Sequence, residues 1–200
     1  MKIVDVIVVG AGAAGLFCAA IAAERGRSVL LLDCANKVGK KILMSGGGRC
    51  NFTNLDITPG KFLSNNPHFC ISALRRYTQW DFIDLVEHHG IAFHERQHGE
   101  LFCDRSSKDI LNMLLAECQR HGVSVRTSVT IDSVSSLTGS DRSDEICESR
   151  YALHTKEGEY GCESLVVATG GLSIPTLGGS GFGYQLAEQF DLRLLPRSAG

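Results

Sequence analysis

Near the start of the chain, Gly10, Gly12 and Gly15, with Ala13 and Ala14 between them, have the types and spacing to hold a diphosphate. A glycine at the first position permits a tight turn. One at the second lets backbone approach the phosphates, and one at the third lets a helix pack close to a strand. The start of that helix offers unpaired N–H groups and partial positive charge to an anion. Roughly twenty residues further on stands Asp33, an acid placed to bond ribose hydroxyls and to disfavour a 2′-phosphate. Such a glycine pattern also arises by chance, so its surroundings give it weight. Ile3–Val9 is a Val- and Ile-rich run expected of a buried parallel strand, Leu16–Arg25 an Ala-rich helix ended by Gly26, and Ser28–Leu32 a second strand. Strand, helix and strand fit one β-α-β crossover, the frame that carries an adenine dinucleotide.

A second constellation runs from Lys40 to Asn54 and contains Lys41, Ser45, Gly46, Gly47, Gly48, Arg49 and Cys50. Three consecutive glycines let backbone come against a planar or charged ligand. Between Cys34 and Leu55 there is no acid, while Lys37, Lys40, Lys41 and Arg49 are positive, a balance suited to an anionic ligand. The whole stretch Asn36–Asn66 reads as an irregular polar loop, and loops this long in a compact domain are usually functional.

The elements that must position these residues follow. Pro67 opens a helical stretch to about His89, broken near Tyr77–Gln79. Ile91–Phe102 reads as a hairpin with Gly99 at its turn. Ser106–Asp109 resembles a capping box for a helix whose face is Ile110, Leu111, Leu114, Leu115 and Cys118. From Val123 the period becomes two, predicting strands at Val123–Arg126, Val129–Val134, Tyr151–Thr155 and Tyr160–Glu163, with Ser135–Ser149 a polar, mobile loop. Leu165–Ala168 reads as a third buried parallel strand running into Thr169 and Gly170. Gly178–Gly183, ahead of a short helix to about Phe190, reads as a loop on the flavin side of the site.

Composition narrows the classes. Of the 200 residues 44% are hydrophobic and 21% charged, enough for a real core, and no segment reaches the roughly 18 apolar residues of a membrane span. The net charge of −2 argues against a general attraction to nucleic acid or an anionic membrane. Eight cysteines stand without a C-x-x-C pair, which argues against a disulfide framework or zinc site and for a reducing cytoplasm. Cys50 has its next cysteine at Cys70, too far for a dithiol relay beside a flavin, and is read as packing. His88, His89, His94 and His98 share no one-face spacing and are read as surface residues, with no metal expected.

The run GKKILMSGGGRCNFTN, with DVIVVGAGAAGL before it and LVVATGG after it, resembles the YhiN/BaiN-like bacterial flavoproteins, and the likeness extends over essentially all 200 residues. That family is similar in fold to glutathione-reductase-type FAD enzymes and carries the label of NAD(P)/FAD-dependent or aminoacetone-oxidase-like oxidoreductases. The resemblance implies FAD as cofactor. It implies that Gly10, Gly12, Ala13, Ala14 and Gly15 hold the diphosphate and that Asp33, with Cys34 beside it, takes the adenosine ribose. Lys40, Lys41, Ser45, Gly46, Gly47 and Gly48 would line the cofactor toward its centre. Ile131 would meet adenine through its backbone, and Ala168, Thr169 and Gly170 would close over the cofactor. Two departures stand out: Asp33 where the family usually has Glu, and Phe182 where many members have Asp.

The expectation is an α/β, Rossmann-like FAD-binding domain. It has a parallel sheet and an antiparallel β-meander, roughly residues 129–163, inserted before the Ala168 strand. The 200 residues are expected to be an N-terminal portion of a longer cytoplasmic enzyme, with substrate domain and catalytic residues beyond Gly200. The expected reaction is hydride transfer between flavin and a small-molecule substrate or NAD(P)H, with no nucleic-acid or membrane partner. A non-catalytic FAD sensor, a flavin-dependent tRNA-modifying enzyme and an NAD-only dehydrogenase are the alternatives.

Overall fold

The structure, a computed structural model, describes residues 1–137, 149–172 and 180–196. The first strand, β1 (Lys2–Val9), is followed by the glycine turn, helix α1 (Ala13–Glu24) and strand β2 (Val29–Leu32). All four residues of β2 are buried, as its unbroken apolar run requires of a strand covered on both faces. On α1 the buried residues are Gly15, Leu16, Ala19, Ala20 and Ala23, one face of a helix at i, i+4 and i+8. The helix starts three residues earlier than its apolar pattern suggests. Gly12 is its N-cap, and the small Ala13 and Ala14 carry no burial signal of their own.

Residues 1–41 and 114–195 form one compact unit. Its sheet has the order β6-β2-β1-β9-β8-β7, where β6 is Ser124–Arg126, β7 Ile131–Ser136, β8 Tyr151–Thr155 and β9 Gly158–Val167. The strands β6, β2, β1 and β9 run parallel, and β8 and β7 continue the sheet antiparallel. Ile7, Val9, Leu30, Leu32, Leu153 and Cys162 lie at the centre of its core. Two strands expected as separate, Tyr160–Glu163 and Leu165–Ala168, are one. The strand β9 pairs antiparallel with β8 from Gly158 to Cys162 and parallel with β1 from Tyr160 to Val167. Ser164, the gap between the two expected strands, and Glu163 before it are exposed positions inside it, and its last residue Val167 is 41% exposed rather than buried. Likewise Ser124–Arg126 extends the parallel sheet beside β2. Helix α6 (Phe182–Gln189) has Gly181 as its N-cap. The polar loop expected over Ser135–Ser149 falls largely on residues 138–148, outside the described residues, as do Gly178 and Gly179.

A second unit centres on residues 42–113. The stretch expected as a structureless loop contains helix α2 (Lys40–Met44), a 3-10 turn over Ser45–Gly48, and strand β3 (Asn51–Asn54). Strand β3 pairs antiparallel with β5 (Glu100–Cys103), which pairs in turn with β4 (Phe93–Glu95), giving a three-stranded sheet. The helical stretch breaks where expected, into α3 (Ile71–Arg76) and α4 (Gln79–His88), and Thr78 caps α4 in a reciprocal box with Asp81. Helix α5 (Lys108–Arg120) buries Ile110, Leu111, Met113, Leu114 and Cys118. Its start departs from a full box, since the Ser106 hydroxyl takes the Lys108 N–H at 3.2 Å. Among the described residues no helix is long and apolar enough to cross a membrane.

Candidate dinucleotide site

At the end of β1 the chain threads between two neighbours. The Gly10 N–H donates to the Leu32 carbonyl (2.7 Å), and the Ala168 N–H donates to the Val9 carbonyl (2.8 Å). Gly10 has φ +107°, and a Cβ there would lie 2.4 Å from the Ala168 carbonyl oxygen. A Cβ on Gly15 would lie 1.8 Å from the Gly10 carbonyl oxygen. Both positions therefore need glycine so that turn, helix and β9 can approach. Gly12 differs, for a Cβ there would meet nothing within 4 Å. Its backbone faces open space at the head of α1. The first helical bond runs from the Leu16 N–H to the Gly12 carbonyl (3.0 Å), so the N–H groups of Ala13, Ala14 and Gly15 precede the helical ladder. That is a cradle into which phosphate oxygens could fit.

Asp33 follows β2 and closes the other side. Its Oδ2 accepts the Ala11 N–H at 2.6 Å and its Oδ1 the Ala35 N–H at 2.7 Å. The acid expected to face a ribose thus clamps the glycine turn. A carboxylate has about four acceptor sites, so two bonds leave room for hydroxyl donors. Beside it a cavity of about 250 Å³ is lined by Gly10, Asp33, Cys34, Ile131 and Thr169 among others. This lies at the carboxyl ends of the parallel strands, with β1 flanked by β2 and β9, where doubly wound sheets hold ligands. Val129 and Thr130, which the sequence reading missed, also line the cavity, as do Ser180 and Phe182. The first two adjoin Ile131 and share its strand-like run. Ser180 and Phe182 belong to the Gly178–Gly183 stretch that was expected to lie beside the site.

Just before Lys40 and Lys41 the backbone is tied to the same turn, the Gly39 N–H donating to the Ala11 carbonyl at 2.9 Å. A Cβ on Gly170 would lie 3.4 Å from the Lys41 ammonium nitrogen, which puts that charge beside Thr169 and Gly170. The structure thus gathers Gly10, Asp33, Cys34, Ile131 and Thr169 around one cavity, with Lys41 against Gly170.

Ser45–Gly48 belong to the second unit, in a turn with positive φ at Gly46 (58°), Gly47 (65°) and Gly48 (87°). The Ser107 N–H holds the Gly48 carbonyl (2.7 Å), the Ser107 hydroxyl the Leu43 carbonyl (3.0 Å), and the Cys103 N–H the Arg49 carbonyl (3.0 Å). Cys50 is buried at φ +52°, and burial pushes its thiol above the ordinary range. Burial and the neighbouring Cys50 push Cys103 to about 11. A thiol held protonated is a poor nucleophile. His94 pairs with Asp104 (2.7 Å), and among the described residues no three His, Cys, Asp or Glu side chains gather as metal ligands.

Residues 4–200 match the HI0933-like protein Rossmann domain. The chain belongs to that family. This HI0933-like chain is 54% identical, over all 200 of its residues, to the ribosomal RNA dihydrouridine synthase of Escherichia coli K12, and it spans 48% of that protein's length. It is 26% identical over 94% of its length to the 3-dehydro-bile acid delta(4,6)-reductase of Clostridium scindens, spanning 44% of that protein. Among solved structures, the open conformation of a flavocytochrome c3 fumarate reductase superposes with a TM-score of 0.59 at 21% identity, covering 94% of this chain and 40% of that one. The chain therefore spans about half the length of its curated relatives.

The expectation of no nucleic-acid partner is overturned by the E. coli relative, whose name is that of an enzyme acting on ribosomal RNA. Net charge misled because it sums acids and bases from every face, whereas RNA meets one surface.

Proposed function

We propose that this chain is the FAD-binding part of an enzyme that reduces the C5=C6 bond of a uracil base in ribosomal RNA, giving dihydrouridine. The observation that carries the reading is the 54% identity, running the whole length of the chain, to a protein named for that reaction. The local chemistry supports the cofactor half of it. The N–H groups at the head of α1 take the diphosphate, Asp33 takes ribose hydroxyls, and the cavity beside Ile131 receives the adenine. Gly12 leaves the approach clear and Lys41 adds positive charge near Gly170. When bound, FAD supplies the two-electron hydride chemistry that no side chain can. NAD(P)H is the proposed electron donor, and a cytoplasmic setting suits both the ribosomal substrate and the free thiols.

The test uses the full-length protein, ribosomal RNA from cells lacking the gene, and NADPH or NADH. FAD should be released on denaturation, and dihydrouridine should appear in the RNA by mass spectrometry. A protein that holds FAD and reduces it with nicotinamide, yet leaves the RNA unchanged, would refute the RNA substrate. The 26% relative, a reductase of a small steroidal acid, favours a second reading in which the reduced alkene belongs to a small molecule.

A further inference from the structure

The stretch from Ile57 to Trp80, in the second unit, contains Lys61, Arg75 and Arg76 and no Asp or Glu. Large apolar side chains stand out of the same stretch: Phe62 is 46% exposed, Trp80 55%, Phe69 80% and Leu63 95%. Arg75 and Arg76 are exposed too, as are Ser64, Asn65, Asn66 and His68. The segment is anchored to its own unit. The Gln79 side-chain amide donates to the Leu55 carbonyl (3.0 Å), and the Cys70 thiol approaches the Pro59 carbonyl (3.9 Å). The Thr78 cap fixes Trp80 in the first turn of α4. The acids that bracket the stretch are both engaged, Asp56 with Lys61 (3.1 Å) and Asp81 with the Thr78 N–H (2.6 Å).

Apolar side chains this exposed, on one ordered segment, mark a surface that meets a partner. The chemistry of the segment selects the partner. Rings and arginines also occur at protein interfaces, so the deciding feature is charge: rings, arginines and short amides share this stretch without a single acid, which favours a polyanionic partner. Rings and guanidinium planes stack on bases, arginines meet phosphates, and amides read base edges, which is how unpaired RNA is held. We infer that residues 57–80 form an RNA-docking surface on which unpaired bases stack against Phe69 and Trp80 while Arg75 and Arg76 hold the backbone. The inference rests on the ribosomal RNA reading above and adds to it where that RNA is gripped.

The test compares the full-length protein with two double variants, Phe69→Ala with Trp80→Ala and Arg75→Gln with Arg76→Gln. Each is titrated with an unmodified transcript of the source organism's ribosomal RNA, while FAD content and melting temperature are recorded. The aromatic variant should bind at least about tenfold more weakly. The arginine variant should lower the slope of log affinity against log salt by roughly 1.5. FAD content and melting temperature should stay at wild-type values in both. Wild-type affinity and salt slope in the variants, beside a wild-type protein that binds and reduces the RNA, would overturn the surface alone. A melting temperature lowered by several degrees in the aromatic variant would overturn it as well, showing that the rings pack against the rest of the protein or a second copy. A wild-type protein that neither binds nor modifies the RNA would overturn the proposed function and the surface with it.

Discussion

At Gly10 and Gly15 an added methyl group would strike backbone, 2.4 Å and 1.8 Å from carbonyl oxygens, whereas at Gly47 it would strike nothing within 4 Å. Both segments are glycine-rich and both were read as ligand-facing, yet they use glycine differently. In the first, the missing side chain lets a turn, a helix and two strands crowd together and leaves open space at Gly12, at the head of α1. In the second, a run of left-handed residues is held by Ser107 and Cys103; Gly46 still has a close neighbour, a Cβ there lying 2.7 Å from the Asn51 nitrogen, but at Gly47 and Gly48 the space is open and glycine serves the left-handed backbone alone. Close approach and conformational freedom carry different penalties when a side chain returns.

The largest effect should therefore come from Gly15→Ala. Its Cβ meets backbone that cannot swing away, so the variant should lose several kcal/mol of stability, about 3 or more, and with it FAD binding. Urea unfolding and flavin titration check this, and a stable variant with wild-type affinity would show that the close approach is dispensable. Next comes Asp33→Ala, expected to weaken FAD binding by about 1–3 kcal/mol through lost charged hydrogen bonds. The stability of the unliganded protein should fall too, because Ala11 and Ala35 lose their acceptor. Asp33→Asn, which keeps one good acceptor, should recover part of both. Flavin reduction at saturating FAD should hardly change, and a variant that binds FAD normally but loses reduction would put Asp33 at the other end of the cofactor. Gly47→Ala should cost only about 1–2 kcal/mol, the penalty of a left-handed residue with space around it. A collapse on the scale of Gly15→Ala would erase the contrast. The smallest effect belongs to Cys50→Ser, which should keep flavin reduction within a few-fold, since burial holds the thiol protonated. A loss of about a thousandfold with FAD still bound would restore a thiol to the chemistry.

The first segment was legible in the sequence because each of its signals is local. Ile3–Val9, the glycine turn and Ser28–Leu32 declare strand, turn and strand within one short window, and Asp33 follows directly. The second was not. Asn51–Asn54 has no alternation to reveal it, and it becomes a strand only because Glu100–Cys103 arrives beside it. The clamp that Asp33 makes was hidden for a related reason, since nothing in the sequence says that a carboxylate after β2 will find the Ala11 N–H. Polar residues inside β9 were mistaken for an end because Glu163 and Ser164 face outward where the strand changes neighbours. A partner surface is illegible for another reason again: it depends on which side chains share a face, and a summed charge erases that information.

The position of β1 sets an order of events during synthesis. It lies between β2, made soon afterwards, and β9, whose Tyr160 pairs with Lys2 from far along the chain. Until the ribosome has released β9, β1 offers one apolar edge of unpaired N–H and C=O groups, the kind of edge that recruits foreign strands. Contacts of such high sequence separation also form slowly, because loop closure must precede their reward. Nascent chains stalled before Gly158 would thus expose a sticky half-sheet, and holdase chaperones would find their binding site along β1.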